Sequence, residues 1–123
     1  MLGLRFLLTT GWLILVPLAA LAGEADVVDV KVRKTGTQTF AFDVTVRHGD
    51  TGWKHYANKW DVVTSEGKVL GTRILYHPHE DEQPFTRSLS GVRIPIDITT
   101  VTVRAYDKVH ATGGVTKIVT VPH

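Results

Sequence analysis

Phe40-Ala41-Phe42-Asp43-Val44-Thr45-Val46-Arg47 decides the fold class. Phe40, Phe42, Val44 and Val46 alternate with Ala41, Asp43, Thr45 and Arg47, the period of a half-buried strand with one apolar face. Val28, Val30 and Val32 repeat the pattern upstream, and Val101, Val103 and Ala105 repeat it downstream. From Gly23 onward the chain has 16 Val, 14 Thr and 5 Ile against 5 Ala and 3 Leu. β-Branched side chains lose rotamer freedom in a helix and pack well on a pleated surface, so this balance predicts strands throughout.

Turn residues divide the body into seven expected strands at 26–34, 38–47, 55–63, 68–76, 85–90, 99–107 and 114–121. Thr35-Gly36-Thr37, Ser65-Glu66-Gly67-Lys68 and Gly113-Gly114 mark tight connections. Ser90-Gly91 and Pro95 fall between the fifth and sixth strands, where proline does not break a central ladder. Seven short strands with turns every 8–12 residues predict an all-β, seven-stranded antiparallel sandwich. Phe42, Val44, Trp60, Ile74, Val101 and Val103 are its expected core.

Ahead of this body, residues 1–22 read as a signal peptide. Arg5 precedes an uncharged run that ends in Ala20-Leu21-Ala22, so cleavage is expected before Gly23, with a weaker site after Gly23-Glu24-Ala25. Residues 23–123 then form a single exported domain, periplasmic or secreted and free of the membrane after cleavage. The run from Phe6 to Gly23 has 18 uncharged residues, so retention as an anchor is the competing expectation. The 123-residue chain has 14 Lys and Arg against 12 Asp and Glu, a balance too even for nucleic-acid binding through bulk charge. It has no cysteine, hence no thiolate metal site, thiol nucleophile or lipidated cysteine.

The body resembles an immunoglobulin or fibronectin type III-like sandwich without an inter-sheet disulfide. Asp50–Trp60, DTGWKHYANKW, and His77–Val92, HPHEDEQPFTRSLSGV, resemble a group of short exported bacterial proteins of unknown function. That resemblance implies fold and export, and brings no catalytic residue with it.

Chain direction sorts the loops between the two ends of such a sandwich, which are separated by strands roughly 30 Å long. The connections after the second, fourth and sixth strands share one end. They carry His48, His55, His77, His79 and His110, while His123 belongs to the opposite end. His77-Pro78-His79 puts two imidazoles on one side of an extended segment. His55, His77, His79 and His110 are therefore the expected metal ligands, with His48, Asp50, Glu82 and Asp107 supporting them. Imidazole with carboxylate suits Zn, Cu(II) or Ni, whereas a mature chain without Met or Cys argues against Cu(I). Asp50 and Glu80-Asp81-Glu82 lack the spacing of a calcium loop.

Without a metal, Trp53 and Tyr56 offer a surface for a partner protein or a carbohydrate at the same end. No nucleophile motif or phosphate-binding glycine loop is present, so a non-catalytic binding or accessory role is expected. Arg87 alternates with Phe85 and Leu89, which predicts either a buried cation paired with Asp107 or Glu82, or an edge position for the fifth strand.

Overall fold

The computed structural model describes residues 23–123, and the expected signal peptide at 1–22 lies outside them. Seven strands follow in order: β1 Asp26–Gly36, β2 Thr39–Arg47, β3 Ala57–Val63, β4 Val69–Ile74, β5 Phe85–Arg93, β6 Thr100–Asp107 and β7 Lys117–Thr120. They form two antiparallel sheets, ordered β1-β2-β5 and β4-β3-β6-β7. The described residues include no helix. Phe40, Phe42, Val44 and Val46 of the first sheet meet Trp60, Val62, Val101 and Val103 of the second, all at most 1% exposed. Alternation along β2 and β6 thus builds the core.

Departures from the expected pattern occur where the ladders slip. A register shift between Val27 and Asp29 leaves Val28 as the extra residue. Val27 is then fully buried, and Val30 and Val32 resume partial cover of the core. Likewise, β5 does not stop at Ser90. Gly91, at φ +71°, absorbs a bulge, and pairing continues through Phe40 with Val92 and Thr39 with Arg93. In β3 a bulge at Asn58, between Ala57 and Lys59, lets both Ala57 and Trp60 face inward.

Ile74 is a correction to the expected core, being 41% exposed while Leu75 is 2% exposed. Gly71, Arg73 and Leu75 take the inward positions. A Cβ on Gly71 would lie 3.0 Å from Leu89 and 3.2 Å from Val92, and the Arg73 guanidinium donates to the Ser88 carbonyl at 2.7 Å. Ile74→Thr is therefore expected to change stability by under about 0.5 kcal/mol. A urea-melt loss of about 2 kcal/mol, the range of core truncations, would return Ile74 to the interior.

The last strand is shorter than expected, because Gly113–Thr116 is spent on the start of β1. Val27 N–H donates to the Val115 carbonyl at 2.8 Å, and Val115 N–H donates to Asp26 at 2.7 Å. These bonds fix the segment just before β1 at the end of the two sheets where β2 and β6 finish.

Candidate metal centre

The site occupies the polar end of the core rows. On β2 the inward series Phe40, Phe42, Val44, Val46 continues by two to His48, whose side chain is fully buried. On β6 the series Val101, Val103, Ala105 ends in Asp107, also fully buried. His55 stands two residues before buried Ala57, and Gly23 two before buried Ala25. Both sheets thus bring a polar group to one point, under the same alternation that builds the core.

Asp50 organises this end of the domain. His48 donates through Nδ1 to Asp50 Oδ1 at 2.5 Å, Ala57 N–H reaches the same oxygen at 3.0 Å, and His79 N–H reaches Oδ2 at 2.7 Å. Burial would raise the Asp50 carboxyl, but these three donors outweigh it and hold the group below its usual 3.8. An ionised Asp50 can only accept, so the His48 proton sits on Nδ1 and the Nε2 lone pair faces inward.

Around that lone pair, Nε2 of His48 is 3.1 Å from the Gly23 carbonyl oxygen, 3.2 Å from His55 Nε2 and 3.3 Å from Asp107 Oδ2. His55 Nε2 is 3.0 Å from the Gly23 oxygen and 3.8 Å from Asp107 Oδ2. Bonds of 2.0–2.1 Å to a four-coordinate metal set neighbouring donors about 2.9–3.4 Å apart. Four of these five separations fall in that range, and His48, His55 and Asp107 offer ligand atoms all within 4.8 Å of one another. A proton on either imidazole Nε2 would be donated to the Gly23 carbonyl, and a metal at this point would take that proton's place.

His110 supports the site from outside. Its ring donates through Nδ1 to Asp107 Oδ2 at 3.0 Å, and its backbone N–H and that of Val109 donate to Oδ1. Burial would raise the Asp107 carboxyl, and the His110 and Val109 donors bring it below 3.8 instead. His110 therefore orients the carboxylate instead of standing among the nearest donors.

His77 and His79 stand apart from this group among the described residues. Their rings lie 4.6 Å apart, as the i, i+2 spacing predicts, but His79 stacks on Phe85 at 4.0 Å and accepts from Arg87 Nη2 at 2.9 Å. Burial, then the Arg87 charge, lowers the His79 pKa. Arg87 also donates to Glu82 at 3.2 Å and lies on edge strand β5, so the edge reading holds and Glu82 is its partner, but the pair sits at the surface instead of being buried. His77 is exposed. Trp53, 62% exposed, packs edge-on against Tyr56 at 5.7 Å beside an open cleft lined by His77, Pro78, Glu80 and Asp81. His123 lies at the far end, bonded to the Ile98 carbonyl and packed on Phe40.

No family model matches the chain, and no solved structure matches it. A protein of Halomicrobium mukohataei named "Putative lipoprotein" is 42% identical over 96 residues, which cover 78% of this chain and 47% of that protein. The chain spans about half the length of this curated relative. No helix among the described residues is long and apolar enough to cross a membrane.

Proposed function

We propose that the chain is an exported, non-catalytic protein that binds one divalent transition metal at His48, His55 and Asp107, with the Gly23 carbonyl beside them. The observation that carries this reading is the convergence of four donor atoms, with four of their five separations metal-compatible and the His48 Nδ1 proton held by Asp50. Two imidazoles and one carboxylate match Zn, Cu(II) or Ni. The expected signal peptide and the name of the 42%-identical relative support a place in the cell envelope or outside the cell. An immunoglobulin-like or fibronectin type III-like lineage fits two antiparallel sheets of three and four strands. The constant-type immunoglobulin order would instead keep β4 beside β1, β2 and β5.

The test is metal retention. Protein exported from its own leader and purified without a His tag is expected to keep about one equivalent of Zn, Cu or Ni after gel filtration, by the full ligand set of the site. Asp107→Asn should lose it, and His77→Ala should retain it. Exposed Trp53 beside the His77 cleft favours the second reading, a protein- or carbohydrate-binding end without metal. That reading gains if wild type and Asp107→Asn are equally metal-free after incubation with each ion.

A further inference from the structure

We infer that removal of the leader creates a fifth ligand of this site, the α-amino group of Gly23. The inference rests on the metal reading above. The Gly23 carbonyl oxygen already lies 3.0 Å from His55 Nε2 and 3.1 Å from His48 Nε2, the spacing of neighbouring donors around one ion. An amine and a carbonyl oxygen on the same residue close a five-membered ring with a metal. In a first residue, this requires only rotation about the Cα–C bond. In the uncleaved chain that nitrogen is an amide, whose lone pair is delocalised into the peptide bond and unavailable to a cation.

The residue type at this position fits the same role. A Cβ on residue 23 would lie 2.9 Å from Cε1 and 3.2 Å from Nε2 of His110. A side chain on residue 23 would require that ring, which holds Asp107 in place, to shift. Behind Gly23 the chain is fixed: Ala25 is buried, and Asp26 and Val27 are bonded to Val115. A Cβ on Gly114 would fall 2.0 Å from the Ala25 carbonyl oxygen, so the two backbones are in direct contact there. The segment therefore delivers its first residue to one place, and Ala20-Leu21-Ala22 sets the expected cut immediately before it. One amine, two imidazoles and two oxygens make a donor set of the kind that favours Cu(II) and Ni(II). Metal capture would follow export, because the precursor lacks one of the donors.

The experiment compares two proteins exported from the natural leader: the wild type, and a variant with one alanine inserted between Ala22 and Gly23. The variant leaves the amine one residue too far out. Intact mass identifies each first residue, and copper(II) chloride is titrated against a competing chelator. The wild type should begin at Gly23 and bind Cu(II) at least about tenfold more tightly, since even an outer partner of a metal ligand is worth that much. Its Cu(II) electron paramagnetic resonance spectrum should show one more nitrogen than the variant's. Equal affinities and spectra, or a wild type that begins elsewhere, would overturn the inference and leave the His48-His55-Asp107 site standing. Failure of both proteins to bind would remove the metal reading itself.

Discussion

Asp50→Ala is expected to destabilise the domain by about 3–5 kcal/mol, the range for removing one partner of a buried charged pair. The Asp50 and His48 side chains are both fully buried, so bulk solvent does not replace the lost carboxylate. Three donors would be stranded: His48 Nδ1, the Ala57 amide and the His79 amide. The loss also propagates, because the amides belong to the first residue of β3 and to the loop before β5, and Asp50 is what ties them together. Gln83 makes a second tie, accepting from the His48 amide at 2.9 Å and donating to the His79 carbonyl at 2.8 Å, and it should limit the damage. Asp50→Asn keeps the volume and an acceptor oxygen, so it should fall between wild type and alanine. Urea melts at neutral pH read all three. A loss below about 1 kcal/mol for Asp50→Ala would mean the carboxylate is solvated and the loops hold without it.

The strand framework was legible because its determinants are local. Alternation from Phe40 to Val46 and from Val101 to Ala105 places both core rows, and glycines and prolines mark the turns. What escaped are the bulges. Nothing next to Val28 or Asn58 announces an extra residue, since each bulge is set by the partner strand. Ile74 escaped for the same reason, its facing being fixed by what Gly71 and Arg73 meet across the sheets.

At the site, strand direction brought the histidine-bearing loops to one end, as in the structure, but gave no measure of depth. It therefore ranked the histidine-proline-histidine motif above His48. A sharper signal was available: His48 and Asp107 each continue an apolar alternation by two residues, which places them under the loops. The fate of His79 was not readable locally, because it depends on Phe85 and Arg87 arriving beneath it.

Metal-free and metal-loaded protein should respond to pH in opposite directions. Burial alone would lower the His48 pKa, but the bond to Asp50, the Asp50 and Asp107 charges and the Gly23 carbonyl together raise it above 6.5. A group raised on folding contributes stability that is complete below 6.5 and is lost as pH climbs through its folded value. Asp50 and Asp107 are lowered, so their contributions are complete above 3.8 and are lost as pH falls through the folded values. Without metal, these groups favour the interval between 3.8 and 6.5, and stability should decline above it. A metal needs the neutral His48 that the empty site disfavours, so protons compete with it across the same range. With free Zn(II) at a hundred times its dissociation constant near neutral pH, the native state gains about 2.7 kcal/mol. That gain should shrink toward about pH 5, where imidazole is protonated, and grow toward about pH 8. Thermal melts with Zn(II) and with a chelator should therefore diverge as pH rises. Asp107→Asn should collapse the two curves onto one, whereas His77→Ala should leave them apart. A zinc shift independent of pH would mean the ion is held by carboxylates alone, and His48 and His55 would lose their place as ligands.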